Sequence, residues 1–419
     1  MTQKVLLNQC GNMSPKPSAE VAPDGKVVAT SYARIGLMGN PSDGFGGKTV
    51  SLLIQNFKAT VTLVPVAFGE PLSVVAHPVH DQWEFESLLA ASGQASLHGY
   101  YGGVRLIRAS LKKFTDLCLA AEVDPSRLAR NFRISYDTDI PRMVGLSGSS
   151  AIVAACLQGL LTFYGIHPSG DLKVEKQEWP QVLLDVEMKE LGITAGLQDR
   201  VIQTYGGLVH MDFSPPPPPP SSSSSSTNST TGTTGSGTEG RGSSNGSIGS
   251  SSPYTPLDPA LLPPLYLAWD VRSAGDSGAV HSDAKQRWLQ RDPVLVRGMA
   301  SVADLADRLR DECLGHLSLP SSGNLCEGQE GPEEGRRLGE VAGLMRLNSE
   351  WRLEMYGAAV VGERNLRMLG LAESLGFGAK FTGSGGAAVL VKDRKAQQEK
   401  EGKEEEGREG GGGGEGEGG

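Results

Sequence analysis

The residues best suited to chemistry form a short run of small residues, Gly145-Leu146-Ser147-Gly148-Ser149-Ser150-Ala151. Small residues let the backbone approach an anion closely. The apolar residues that follow indicate a helix whose first N–H groups lack internal partners and carry positive partial charge. The run therefore fits a loop that holds phosphate groups, although a serine-capped helix after a glycine turn fits it too. It lacks the Gly-Lys-Ser/Thr ending of a Walker A motif, which argues against a standard P-loop NTPase.

Two further segments bring charged side chains near turns. Arg34 lies at the start of a strand-like segment, and Asp43 follows just beyond its end. Asp199 and Arg200 follow a glycine-rich loop that comes after Glu187. Both segments could face one pocket. A solvated arginine with an Asx turn at Asp43, and a solvated loop and helix face around Asp199, explain the same residues without a ligand.

A second small-residue loop lies near the end of the chain. It could approach a ligand with its backbone, or it could be a tight turn between a helix and a strand. Its residues are Thr382, Gly383, Ser384, Gly385 and Gly386.

Hydrophobic spacing predicts the elements that must position these residues. Alternating apolar residues indicate strands, and apolar residues three and four apart indicate helices. Together they predict an α+β protein with one phosphate-type loop between a strand and a helix. Strands are predicted at residues 32–38, 49–66, 131–137, 205–213, 265–269 and 387–391, and helices at 104–121, 145–164, 182–192, 284–310, 342–355 and 363–375.

Composition separates foldable segments from low-complexity ones. Runs of Pro, Ser, Gly and Thr cannot bury enough apolar surface to offset the chain entropy lost on folding. We therefore expect two folded domains with flexible segments around and within them. The predicted parts are a flexible N-terminus (1–30), an N-terminal domain (31–213), a disordered Pro/Ser/Gly insert (214–252), a C-terminal domain (253–392) with a flexible insert (318–337), and a disordered Lys/Glu/Gly tail (393–419).

Composition also limits the class of protein. The net charge of −9 over 419 residues leaves no basic surplus for sequence-independent nucleic-acid binding. The five cysteines are scattered without a C-x-x-C pair, which argues against a disulfide framework or a zinc site. No segment approaches the roughly 18 apolar residues of a membrane span, and the first thirty residues lack the apolar core of a secretory signal. We expect a cytoplasmic enzyme of small molecules, without a nucleic-acid or membrane partner.

In their order along the chain, these motifs resemble those of the GHMP kinases, the superfamily of galactokinase, homoserine kinase and mevalonate kinase. Residues 34–43 resemble the first family motif, residues 141–151 the second and residues 382–387 the third. Residues 99–106 and 196–201 are most similar to the plant glucuronokinase family. The resemblance implies the two-domain GHMP kinase fold: an N-terminal domain with a left-handed βαβ unit, a C-terminal ferredoxin-like domain, and ATP and acceptor bound between them.

The resemblance also implies how the nucleotide is held. Residues 145–151 would surround the β- and γ-phosphates of ATP. The hydroxyl of Ser149 or Ser150 would reach Mg²⁺, and Glu187 stands where the family has its metal carboxylate. Mg²⁺ is thus the implied cofactor, with ATP as the co-substrate.

The implied reaction is phosphorylation of the anomeric hydroxyl of D-glucuronate to glucuronate 1-phosphate, which feeds UDP-glucuronate synthesis. Asp199 stands where the family has its catalytic base, and Arg34 where the family has the cation paired with it. Phosphoryl transfer depends mainly on alignment and charge stabilisation, which such a pair can supply. Asp43 would accept hydrogen bonds from sugar hydroxyls. The candidates for contact with the sugar and its carboxylate are Arg142, Arg105 and Tyr101.

Two other functions remain open at the level of sequence. A sugar kinase of the same superfamily, galactokinase-like or fucokinase-like, would act on a neutral sugar. A relative that binds ATP and sugar as a sensor would do no chemistry.

Overall fold

The computed structural model describes residues 3–7, 15–81, 85–90, 92, 102–215, 252–270, 277–314 and 332–393. These residues form two β-sheets and the helices packed on them. The strands are β1 (Gln3–Leu7), β2 (Ser18–Val21), β3 (Val27–Met38), β4 (Lys48–Pro65), β5 (Ser73–Val74), β6 (Phe132–Thr138), β7 (Leu208–Asp212), β8 (Tyr254–Leu257), β9 (Leu265–Trp269), β10 (Phe377–Phe381) and β11 (Ala387–Lys392). The helices are α1 (Gly103–Ala120), α2 (Gly148–Tyr164), α3 (Trp179–Asp185), α4 (Gln198–Tyr205), α5 (Ser277–Leu289), α6 (Pro293–Arg308), α7 (Pro332–Val361) and α8 (Glu363–Ser374).

The larger sheet is built on the long antiparallel pair β3 and β4. Its strand order is β2-β3-β4-β6-β5, with β7 beside the first part of β4 and β8 beside β7. α2 packs across β3 and β4 and is buried along most of its length, which is why its sequence is apolar on nearly every face. β3 is buried at every position from Ala33 to Met38, so both faces of its second half are covered. This half of β3 carries the first motif.

A βαβ connection lies at the far edge of this sheet. β5 and β6 are parallel, and α1 lies between them in sequence. The resemblance implies such a unit, and its hand stays a prediction.

The smaller sheet has the order β1-β9-β11-β10 and is antiparallel throughout. α7 packs against β10 and β11, and α8 packs against β10. α7 contains one non-helical residue, Gly357, at a φ of 75°. The turn between β10 and β11 holds the second small-residue loop. None of the helices within the described ranges is long and apolar enough to cross a membrane.

Several predicted boundaries differ from the structure. The N-terminus is not wholly flexible, because β1 pairs with β9, β2 pairs with β3, and β3 begins at Val27. These pairings join strands that lie far apart in sequence or carry little local signal, so composition missed them. The first residues of the predicted C-terminal domain form β8, which belongs to the larger sheet through β7.

Two predicted helices also differ in detail. The helix expected at 284–310 is broken between α5 and α6, where Asp292 caps the N–H groups of Val294 and Leu295 ahead of a second helix. The helix expected at 182–192 is α3 followed by a wider π-helical turn, Val186–Glu190. Residues 332–337 of the predicted flexible insert begin α7. Residues 216–251, 315–331 and 394–419, which carry most of the segments predicted to be flexible, lie outside the described residues.

Candidate active site

The side chain of Arg34 connects three of the predicted motifs. Arg34 lies on β3, and its Nε donates to Oδ1 of Asp199 at 2.7 Å. Its Nη1 donates to the carbonyl oxygen of Gly145 at 3.1 Å and to that of Thr382 at 2.6 Å. Arg34 is buried, so these contacts take the place of water. The structure thus brings an ion pair between the two small-residue loops.

The close approach of β3 to the second loop depends on a glycine. The amide of Gly36 donates to the carbonyl oxygen of Thr382 at 3.0 Å. A Cβ at position 36 would lie 2.5 Å from that oxygen and 2.9 Å from Nε2 of Gln198. Only a residue without a side chain lets the strand, the loop and α4 meet here.

The carboxyl group of Asp199 is held in its ionised form. Burial raises its pKa, but the positive charges of Arg34 and Arg200 outweigh burial, and the hydroxyl of Ser147 adds a hydrogen bond. The net effect lowers the pKa below its ordinary value. Asp199 is therefore an oriented carboxylate that can accept a proton from a nearby hydroxyl.

Asp43 lies beside Asp199 on the same pocket wall and behaves differently. It sits in a short 3₁₀ turn, Ser42–Phe45, and its Oδ2 accepts from the amide of Gln198 at 3.4 Å. Burial in the pocket wall and the negative charge of Asp199 raise its pKa to about 6, against the opposing effects of Arg34, the Gln198 amide and Arg200. Gly196 packs against Asp43 so closely that a Cβ there would collide with the carboxylate. The two neighbouring carboxyl groups thus have separate titration ranges.

The first loop turns sharply into α2. Gly145 and Ser147 both have left-handed backbone angles, with φ of 76° and 65°. Ser150 is buried, and its hydroxyl donates to the carbonyl oxygen of Ser147 at 3.2 Å. Ser149 is exposed and lines the pocket. Of the two serines that the sequence offered for a metal, Ser149 is therefore the one that faces a ligand.

Glu187 and Arg200 form a second buried ion pair, close to Asp199. Glu187 lies in the π-helical turn and accepts from Nη2 of Arg200. Nη1 of Arg200 donates to the carbonyl oxygen of Gly196 at 2.9 Å and lies 3.7 Å from Oδ2 of Asp199. Glu187 lines the pocket, but its charge is already balanced by an arginine that the sequence did not pair with it.

Six of these residues line one pocket of about 510 Å³, within the range of small-molecule sites: Arg34, Asp43, Ser149, Glu187, Asp199 and Arg200. Arg105 and Arg142 line the same pocket, as do Tyr136 and His80. The charge of Arg142 acts on the pKa of both His80 and Tyr136. Tyr101 lies outside the described residues.

Comparison with known proteins identifies the family. The family described as "GHMP kinases N terminal domain" matches residues 106–207. Glucuronokinase 1 of Arabidopsis thaliana is 40% identical over 378 residues, which cover 89% of this chain and 88% of that protein. Probable glucuronokinase 2 of the same plant is 39% identical, covering 90% of this chain and 87% of its own length. This chain belongs to the GHMP kinase family.

The fold agrees with that assignment and confirms the predicted fold class. The crystal structure of Methanococcus jannaschii mevalonate kinase superposes with a TM-score of 0.52 over 90% of this chain and 94% of that one, at 13% identity. As a GHMP kinase, the protein is a phosphotransferase, as the sequence predicted.

GHMP kinases depend on ATP and generally use Mg²⁺. The donor set here fits such an ion, because the Ser149 hydroxyl and the Glu187 carboxylate line the same pocket. Mg²⁺ prefers oxygen ligands and is usually held by one or two carboxylates together with the phosphates of its nucleotide. The described part of the chain contains no group of three or more His, Cys, Asp or Glu side chains that could hold a metal ion.

Sequence reasoning missed the part of the GHMP kinase pocket that comes from α7, and a buried lysine on β10 that contacts β3. Arg352 and Tyr356, one helical turn apart on α7, line the pocket. Lys380 on β10 is buried, and its Nζ donates to the carbonyl oxygens of Gly36 at 2.7 Å and Phe381 at 2.8 Å. Burial, together with the charges of Arg352 and Arg34, holds the pKa of Lys380 well below its usual range. These residues belong to no motif, so their spacing carried no signal beyond that of an ordinary helix and strand.

Proposed function

We propose that this GHMP kinase transfers the γ-phosphate of ATP to the anomeric hydroxyl of D-glucuronate, forming ADP and glucuronate 1-phosphate. The observation that carries the proposal is the Arg34–Asp199 pair, which lies between two glycine-rich loops in a pocket of about 510 Å³. The 40% identity to Glucuronokinase 1 supports the choice of a uronic acid.

In the proposed reaction, the backbone of residues 145–151 and the N-terminus of α2 bind the nucleotide phosphates. Asp199 accepts the proton of the anomeric hydroxyl as its oxygen forms a bond to the γ-phosphorus. The bond from that phosphorus to the β–γ bridging oxygen breaks, and ADP leaves. Arg34 keeps Asp199 ionised and oriented, and its charge stabilises the negative charge on the transferred group.

Other groups of the pocket have supporting roles in this proposal. Asp43 accepts hydrogen bonds from sugar hydroxyls. Ser149 and Glu187 would hold Mg²⁺, which neutralises phosphate charge when bound. We further propose that the pocket lies between two domains, one built on each sheet, and that the product feeds UDP-glucuronate synthesis.

The test is a measurement of ADP release from Mg-ATP with four acceptors: glucuronate, galacturonate, galactose and fucose. We expect the highest kcat/KM with glucuronate. An equal or higher kcat/KM with galactose would make the enzyme a neutral-sugar kinase. Nucleotide binding without ADP release from any acceptor would make it a sensor.

A further inference from the structure

Arg352 is a buried cation on the pocket wall that has no counter-charge among the residues the structure describes. Only 6% of the residue is exposed, and it lies over the rings of Phe381 and Tyr356, with its guanidinium carbon 5.2 and 5.7 Å from their centroids. Nη1 donates to the carbonyl oxygen of Gly383 at 2.7 Å, and Nη2 donates to that of Ser384 at 2.6 Å. Within the described ranges Arg352 forms no ion pair, whereas Arg34 and Arg200 each have a carboxylate partner.

Two arginines hold consecutive carbonyl groups of the second loop. Arg34 binds the carbonyl oxygen of Thr382, and Arg352 binds those of Gly383 and Ser384. Arg352 therefore lies close to the Arg34–Asp199 pair and lines the same pocket. A guanidinium has five N–H groups, and these two bonds leave others for a ligand.

Tyr356 adds a hydroxyl to the same place. It follows Arg352 by four residues, so the two side chains share one face of α7. Only 8% of Tyr356 is exposed, and its hydroxyl makes no hydrogen bond to another described residue. The charge of Asp43 acts on this hydroxyl, which places Tyr356 on the side of the pocket where Asp43 lies. The hydroxyl oxygen is not fully buried, so it is accessible from the pocket, where a ligand oxygen can accept its hydrogen bond.

We infer that Arg352, together with the hydroxyl of Tyr356, binds the carboxylate of the sugar acid. The inference rests on the proposed function. In a hexuronate the carboxylate and the anomeric hydroxyl flank the ring oxygen, so the carboxylate-binding group must lie in the same pocket as Asp199 but apart from it. Arginine binds a carboxylate with two parallel hydrogen bonds, and a desolvated site strengthens them. A neutral sugar would leave the charge of Arg352 without a partner, so the site would favour a uronic acid over a neutral sugar.

Arg105 and Arg142, the candidates from the sequence, also line the pocket, and the charge of Arg142 acts on Tyr136 and His80. The groups that act on the pKa of Asp43 are Asp199, Arg34, the Gln198 amide and Arg200. Arg352 binds the same loop as Arg34, the partner of Asp199, and the three arginines can be compared directly by mutation.

The experiment measures kcat and KM for glucuronate, for glucose as a neutral analogue, and for ATP, in the wild type and in Arg352→Gln. We expect the KM for glucuronate to rise about 10- to 100-fold, the usual loss for a charged hydrogen-bonded pair. The kcat/KM for glucose and the KM for ATP should change by less than about threefold, so the preference for glucuronate collapses. Arg352→Lys should recover part of that preference, because it keeps the charge but not the bidentate geometry. Tyr356→Phe should reduce it by a smaller factor.

A matched control is Arg297→Gln on α6, since Arg297 is exposed and paired with Glu354 at the surface. A KM for ATP that rises in Arg352→Gln, or equal losses with both acceptors, would mean that Arg352 binds phosphate or merely supports the loop. If the preference for glucuronate over glucose is lost in Arg105→Gln or Arg142→Gln but not in Arg352→Gln, the carboxylate is bound by one of those two arginines instead.

The proposed function is tested separately by the wild type, which must prefer glucuronate to glucose before any variant is compared. If that preference exists and survives Arg352→Gln, the inference alone is wrong. Should Arg352→Gln fail to fold, Arg352→Lys and Tyr356→Phe still decide it, because each must lower the preference without changing the KM for ATP.

Discussion

The two walls of the pocket differ in how their buried charged side chains are compensated. On the wall built from β3, α2 and α4, both buried arginines have a carboxylate partner: Arg34 pairs with Asp199, and Arg200 with Glu187. On the wall built from α7, the cation Arg352 contacts only backbone carbonyls and aromatic rings among the described residues. The first arrangement fixes reacting groups before substrate arrives, whereas the second leaves a charge for the substrate to complete.

The difference predicts separate kinetic effects, and the largest is expected from Asp199→Asn. An amide keeps a hydrogen bond to Arg34 but cannot accept the proton, so kcat should fall about 10²- to 10⁴-fold. The loss should be similar for every acceptor, and the dissociation constant of ATP should stay within about threefold. Steady-state kinetics with two acceptors and nucleotide titration measure these quantities.

The control for this variant is Asp116→Asn, which removes an exposed carboxylate paired with Lys112 on α1. Turnover near that of the wild type in Asp199→Asn would exclude Asp199 as the base. A loss confined to glucuronate would instead make Asp199 an acceptor-recognition group and remove the contrast between the walls.

The wall that carries the motifs was also the one accessible to sequence reasoning. Runs of small residues and isolated charged residues can be recognised in the sequence alone. The structure brings Arg34, Asp199 and the two loops together. Arg352 and Tyr356 are spaced like any helix face, and their meaning depends on β10 and on the loop that they contact. The pairing of Glu187 with Arg200 likewise depends on how a π-helical turn meets α4. Contacts between distant segments decide these features, and no local pattern encodes them.

Sheet pairing follows the same rule. β9 and β11 were predicted from alternating residues, whereas β1 was assigned to a flexible terminus, although it pairs with β9 along five residues. β8 was placed in the wrong half because its partner β7 lies before the predicted insert. Strand identity can be inferred from composition, but the partner cannot.

A second prediction concerns the point where both walls meet. Gly36→Ala would place a methyl group 2.5 Å from the carbonyl oxygen of Thr382, which also accepts from Arg34. We expect the free energy of unfolding to fall by about 1–3 kcal/mol, as overpacking usually costs. The kcat/KM should fall by a common factor for charged and neutral acceptors. Chemical denaturation and kinetics with two acceptors measure both effects.

Gly44→Ala is the matched control, because a Cβ at position 44 meets nothing within 4 Å. Equal free energies of unfolding for the two variants would show that the second loop shifts to accommodate the methyl group without strain. A loss in Gly36→Ala with glucuronate alone would indicate that the loop serves recognition rather than both walls.

The smallest expected effect separates the two carboxyl groups of the first wall. Asp43 has a pKa of about 6 in the folded protein, against an ordinary value of 3.8. In the unfolded chain the group ionises at the lower pH, so its contribution destabilises the fold increasingly as the pH rises from about 4 to 6, and then stays constant. Because solvent in the pocket screens part of this effect, Asp43→Asn should be more stable than the wild type by about 1–2 kcal/mol at pH 8. The difference should vanish below pH 4, as measured by denaturation over a pH series.

Asp171→Asn provides a control of opposite sign. The hydrogen bond from Arg127 lowers the pKa of Asp171 to about 2, so its ionised form stabilises the fold at neutral pH, and that contribution disappears as the pH falls through about 4 to 2. Asp171→Asn should therefore be less stable than the wild type at pH 8, while Asp43→Asn is more stable. If Asp43→Asn also loses stability at pH 8, Asp43 is ionised and compensated as Asp199 is, and the first wall holds two equivalent carboxylates instead of a base and a titrating neighbour.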